Sequence, residues 1–241
     1  MSWLILSLFL GCSASFGQPG AETQKKYDGG DYNGAAGDYS LQIQKQPLNA
    51  SLHYNLGNAE LRAGRLGLAI ASYQRAFDIL PRDSDIRYNL NFALKRAGEE
   101  LVAPGVPPPL FTIFYLMSER ELAGLHWLAC WAVLLLASFF LVRRQRGGLV
   151  LTSLILWACF GGWWLARSSL EPSERGVIIR PTAEIRSGPG QNFSVGFTAP
   201  EGRRVHILSQ SADWLEIGIL REGAKGWLPV DAVERIWPAR K

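Results

Sequence analysis

The chain has 241 residues, with 25 Lys and Arg against 21 Asp and Glu, a formal net charge of +4. No basic run is interleaved with aromatics, so this balance argues against a nucleic-acid partner. Three cysteines, Cys12, Cys130 and Cys159, all lie in apolar stretches and build neither a disulfide framework nor a thiolate metal site in the polar regions.

The apolar run Trp3–Leu10 is too short to span a membrane and is followed by the small residues Ser13, Ala14, Ser15 and Gly17. That order predicts a secretory signal peptide over residues 1–17, cut after Gly17. Cys12 leaves a lipoprotein alternative open, although Phe9-Leu10-Gly11-Cys12 is a poor lipobox.

Residues 18–103 carry an internal period of about 34 residues, the spacing of tetratricopeptide helical repeats. Leu56-Gly57, Ala69, Tyr73, Ala76 and Pro81 fall where a repeat needs a core leucine, a close-contact glycine, small interhelical residues, a packing aromatic and a helix stop. One period earlier stand Gly30, Tyr32, Ala35, Tyr39 and Pro47. One period later, Asp85-Ile86-Arg87-Tyr88-Asn89-Leu90 opens a last helix expected to reach about Leu101. The inner groove of such an array is expected to present Asn55, Asn58, Arg62, Asn89 and Arg96 to a protein or extended peptide. The alternative reading is that Asn55 and Asn89 satisfy the repeat's own backbone or solvent. Residues 104–121 read as a proline-rich linker followed by a short apolar segment, Leu110–Met117. That segment either lies along a membrane interface or packs on the repeats.

Two apolar segments follow, 122–142 and 149–166, without an internal Asp, Glu, Lys or Arg. Each approaches or exceeds the length that crosses a bilayer as a helix. Eleven Leu, Val and Phe residues in the first favour insertion by roughly 3–6 kcal/mol. The connecting loop 143–148 holds Arg143, Arg144 and Arg146, which predicts a cytoplasmic loop with both flanks outside the cytoplasm. Trp127, Trp131, Trp163 and Trp164 are expected to form an aromatic belt at the outer interface. Cys130 and Cys159 read as small packing residues.

After a polar spacer, 167–175, the hydrophobic period becomes two over residues 176–241. Expected strands are 176–179, 183–186, 194–197, 205–209, 214–220 and 225–228, separated by Gly, Pro and Asp turns. Glu184-Ile185-Arg186-Ser187-Gly188-Pro189-Gly190, Asp213-Trp214-Leu215-Glu216-Ile217 and Gly226-Trp227-Leu228-Pro229 resemble the bacterial SH3-like domain. This resemblance implies a small peptide-binding barrel, with Trp214 and Trp227 either on the ligand surface or in the barrel core.

The expected fold class is therefore multidomain: an α-solenoid of tetratricopeptide repeats, a two-helix transmembrane hairpin and an all-β SH3-like barrel. That order of parts, with the Asp-Ile-Arg-Tyr-Asn-Leu segment, resembles the BatE-like family of bacterial aerotolerance (Bat) operons. The resemblance implies a membrane-bound accessory protein whose companions are von Willebrand factor A-type Bat proteins and, indirectly, a MoxR-type ATPase. His53, His126 and His206 lie in separate regions, and no nucleophile elbow, Walker or Rossmann motif occurs. The expectation is a non-enzymatic scaffold without cofactor or metal in a bacterial inner membrane, its terminal domains periplasmic. The alternative is a protein that senses or anchors to peptidoglycan.

Overall fold

The computed structural model describes residues 20–102, 105–143, 147–170, 174–219 and 223–237. The expected signal peptide, Cys12, and Arg144 and Arg146 of the interspan loop lie outside these residues.

Five antiparallel helices come first: α1 (Ala21–Asp28), α2 (Tyr32–Lys45), α3 (Ala50–Arg62), α4 (Leu66–Ile79) and α5 (Ser84–Arg96). The 34-residue spacing is visible in the backbone. Gly30, Gly64 and Gly98 all take the left-handed conformation, with φ of +85°, +83° and +71°, and follow α1, α3 and α5 in turn. Asn49 caps α3 by accepting from the Ser51 and Leu52 N–H groups, and Asp83 caps α5 in the same way through Asp85 and Ile86. Ala35, Ala69, Tyr39 and Tyr73 are all buried between helices. Helix α5 stops at Arg96, short of the expected Leu101, because Gly98 turns the chain.

The expectation of an α-solenoid is not met. Two helix pairs and one odd helix are too few to stack into a continuous superhelix, and their interior is divided. One cluster, around Tyr39, Leu52 and Leu56, joins α2 to α3. A second, around Tyr73, Phe77, Leu90 and Leu94, also takes in Phe111, Val177 and Ile236 from beyond the helices.

The last part is one antiparallel sheet of seven strands: β1 (Arg175–Ile178), β2 (Thr182–Arg186), β3 (Val195–Pro200), β4 (Arg204–Ser211), β5 (Trp214–Ile219), β6 (Ala224–Pro229) and β7 (Val233–Arg235). Their order is β3-β2-β6-β5-β4-β1-β7. A closed SH3-like barrel is therefore also not what forms. Closure would pair β3 with β7, but β7 pairs with β1 alone and its outer side is taken by the helices. Alternation along β5 buries Leu215, Ile217 and Ile219, which meet Ile178, Ile185 and Leu228 inside the curled sheet. Strand β7 follows a one-turn 3₁₀ segment, Val230–Ala232, and is too short to announce itself by periodicity.

Between these parts come α6 (Pro108–Phe114), α7 (Glu119–Arg143) and α8 (Gly147–Leu170). Helices α7 and α8 are long and apolar enough to cross a membrane, and they pack as a hairpin. Ser118 and Glu121 start α7 with a reciprocal capping box: the Glu121 carboxylate accepts from the Ser118 N–H at 2.8 Å, and Ser118 Oγ accepts from the Glu121 N–H at 3.3 Å. Within the hairpin, the His126 ring lies over Gly161, where a β-carbon would come 2.7 Å from Nδ1. Trp157 and Trp164 flank the ring, each 5.6 Å away between centroids.

The sheet docks on α4. Val177 of β1 faces the helices while its neighbour Ile178 faces the sheet interior. Helix α4 has no side-chain cap of its own at Arg65. The Gly67 N–H instead donates to Glu201 Oε1 at 2.7 Å, from the turn after β3, so the sheet caps the helix. A β-carbon on Gly67 would lie 2.4 Å from the Ile178 carbonyl oxygen, and neither backbone can give way cheaply. Gly67→Ala is expected to pry β1 off α4 at a cost of about 1–3 kcal/mol. Differential scanning calorimetry of the variant is expected to show the sheet melting separately from the helices, where the unaltered protein shows them melting together.

Candidate protein-binding surfaces and the junction between them

The groove residues expected from the sequence divide into two kinds. Asn58 and Asn89 are brought together: Asn89 Nδ2 donates to Asn58 Oδ1 at 3.2 Å and to Tyr54 Oη at 2.8 Å, and Tyr73 Oη donates to Asn58 Oδ1 at 2.6 Å. This ladder ties α3, α4 and α5 together, so these amides work at least in part for the fold. Burial pushes the Tyr73 phenol well above its ordinary pKa, which keeps it a neutral donor. Arg62 and Arg96 lie exposed in the last turns of α3 and α5, where cations suit the helix dipole. Asn55 is half-buried on α3.

Two aromatics that the sequence reading did not single out stand on α5 beside these residues. Tyr88 is 72% exposed and Phe92 is 46% exposed, one turn apart and off the stripe of Ile86, Leu90, Ala93 and Leu94 that enters the core. The signal was present in the sequence, since a second apolar row at i and i+4 needs a second partner.

Trp214 and Trp227 belong to the outward face of the sheet rather than to its interior. Trp227 lies opposite Glu216, and Trp214 lies opposite Pro229, so both point away from Leu215 and Leu228. Glu216 also accepts from Ser209 Oγ at 2.9 Å. Both rings are half-buried. At one end of β2, the Arg186 guanidinium donates to the Gln191 and Phe193 carbonyls and so orders the Ser187–Ser194 loop beside this face.

The junction between helices and sheet is the best-built polar feature, and its pairing was not foreseen from sequence. Asp78 Oδ2 accepts from Arg175 Nη2 at 2.6 Å and from Trp237 Nε1 at 2.8 Å. Arg75 donates Nε to the Ile236 carbonyl at 2.6 Å and pairs with Glu234. Glu99 is buried between Arg203 and Arg204. These pairs are separated by about a hundred residues or more, beyond the reach of any local pattern.

A cavity of about 310 Å³ lies under this junction, lined by His53, Ser72, Arg75, Glu234 and Trp237 among others. His53 is 3% exposed. Its Nε2 lies 2.9 Å from the Pro47 carbonyl and is the donor there, while buried Nδ1 has no hydrogen-bond partner. Among the described residues, no group of three or more His, Cys, Asp or Glu side chains is placed to hold a metal ion. His53, His126 and His206 lie on α3, α7 and β4. Comparison with protein-family models and with curated protein sequences gave no match.

Burial lowers the His53 pKa below its ordinary 6.5, and Arg75 acts in the same direction; the Pro47 carbonyl and Asp78 oppose it. The folded chain thus keeps His53 neutral where the unfolded chain would take up a proton. The stability this represents is fully present above about pH 6.5 and falls as pH drops through 6.5 toward the lower folded value. Melting temperatures measured between pH 7.5 and 5.5 are expected to fall less in His53→Gln than in the unaltered protein, because the glutamine does not titrate.

Proposed function

We propose that this protein is a non-enzymatic membrane scaffold that holds one rigid protein-binding body against a bilayer. The carrying observation is that the helical array before the hairpin and the sheet after it pack on each other. A two-span hairpin returns the chain to the side it left, and the junction built by Asp78, Arg75, Glu99 and Glu201 requires both parts on that side.

The sidedness follows from charge. Arg143 at the end of α7, with Arg144 and Arg146 after it, supports a cytoplasmic connection between the helices, and with it a docked body on the periplasmic side of a bacterial inner membrane. The exposed face of α3 and α5, with Asn55, Arg62, Arg96, Tyr88 and Phe92, is the surface we assign to partner proteins. Aromatic and arginine side chains together are the composition of interface anchors. By the resemblance of its parts to the BatE-like family, the partners are other membrane proteins of a Bat-type complex, including von Willebrand factor A-type proteins. A cytosolic MoxR-type ATPase would be reached through them rather than directly, since little beyond the arginine loop faces the cytoplasm.

A second reading rests on the paired outward tryptophans, Trp214 and Trp227, with Glu216 between strands. An aromatic face of this kind suits wall peptides, and would make the protein a peptidoglycan sensor or anchor. Sedimentation of the detergent-solubilised chain with purified wall material separates the readings, since Trp214→Ala and Trp227→Ala would abolish co-sedimentation only under the second.

Gentle crosslinking in intact membranes followed by purification is expected to recover the chain in a multi-protein complex. Tyr88→Ala with Phe92→Ala is expected to lose those partners while shifting stability by no more than about 0.5 kcal/mol. Recovery of the chain alone from unaltered membranes would count against the scaffold.

A further inference from the structure

Helix α6 has two apolar faces, and the fold uses only one. Phe111 enters the helical core, its ring stacked 6.4 Å from Phe77, and Tyr115 at the end of α6 lies 5.2 Å from Phe77. On the other face Leu110 and Ile113 are 58% and 59% exposed, and Leu116 just beyond is exposed as well. From residue 101 to residue 117 the sequence contains no charged side chain. An exposed helical face with no charge on it is costly in water.

The placement of α6 says what covers this face. Its C-terminal end is bolted to the membrane hairpin: Arg167, near the end of α8, donates Nη1 to the Phe114 and Met117 carbonyls, both at 3.0 Å. The same guanidinium lies over the Tyr115 ring, 4.5 Å from its centroid. Trp163 Nε1 reaches the Phe114 carbonyl at 3.4 Å. On the other side, Arg82 after α4 pairs with Glu121 in the first turn of α7 at 2.6 Å. The C-terminal end of α6 is therefore held against the end of α8 beside Trp163, and the exposed Leu110, Ile113 and Leu116 lie on the helix and turn that this contact ties to the hairpin.

We infer that the face of Leu110, Ile113 and Leu116 is a lipid-docking surface, seated at the boundary between headgroups and acyl chains. Amphipathic segments occupy this depth by burying one apolar face while the opposite side stays with the protein. With α6 in lipid on one face and in the helical core on the other, the binding body has a fixed tilt over the bilayer. Arg167 is the positioning residue that holds α6 to the hairpin. This inference rests on the reading of α7 and α8 as membrane spans.

The test is spin-label accessibility of the full chain in nanodiscs of phosphatidylethanolamine and phosphatidylglycerol. Single cysteines are placed in a Cys12→Ser, Cys130→Ala, Cys159→Ala background: Ile113→Cys on α6, Leu135→Cys in mid-span, and Gln44→Cys on the exposed side of α2. Nitroxide at positions 113 and 135 is expected to meet dissolved oxygen in preference to a water-soluble nickel chelate, with the preference reversed at position 44. Arg167→Gln is expected to shift position 113 toward the nickel chelate and leave position 135 unchanged. A lipid signature at 135 with an aqueous signature at 113 overturns the docking surface and leaves the spans standing. Shielding of 113 from both probes also overturns it, since a protein then covers the face. An aqueous signature at 135 overturns both readings.

Discussion

A carboxylate on one helix, Asp78 of α4, receives a guanidinium from β1 and an indole from the residues after β7. The arrangement depends on that meeting, because its members come from opposite sides of the hairpin in the chain. Once Asp78 holds Arg175 and Trp237, and Arg75 holds the Ile236 carbonyl, the β7 edge of the sheet is covered. An uncovered edge strand is a template for aggregation, and here a helix and an arginine close it.

Apolar contact, more than charge, stabilises this junction. Ion pairs that remain partly in water are worth little individually, and several here are partly exposed. Val177, Ile236 and the rim of Trp237 add area to the largest helical cluster, and burial of that kind is non-directional and adds up. The charged groups decide where the contact forms. Arg75 and Asp78 stand one helical turn apart on α4 and mark one stripe for β1 and β7; Glu201 and Glu99 both fix the turn between β3 and β4. Charge thus gives register to a contact whose free energy comes mainly from burial.

The same division appears where the body meets the hairpin. Phe111 and Tyr115 supply the packing, and Arg167 supplies direction by capping carbonyls that α6 leaves without intrahelical partners. A helical body joined to the hairpin in this way cannot swing freely on a proline linker.

Much of the local structure was legible in the residues. The 34-residue spacing located α2 to α5 but not the Gly98 stop of α5, the two uncharged runs located α7 and α8, and the two-residue alternation located six of the seven strands, because each of these patterns is written locally in the chain. Asn58 and Asn89 were legible as polar groups on an inner face, but not as partners of Tyr73 and Tyr54. Tyr88 and Phe92 could have been seen as a second apolar row on α5. Tertiary structure alone decided that the sheet stays open, that it caps and covers α4, that Glu99 is buried between two arginines, and that Trp214 and Trp227 face outward. Those outcomes depend on which surfaces meet after some hundred intervening residues have folded, and no periodicity within an element carries that information.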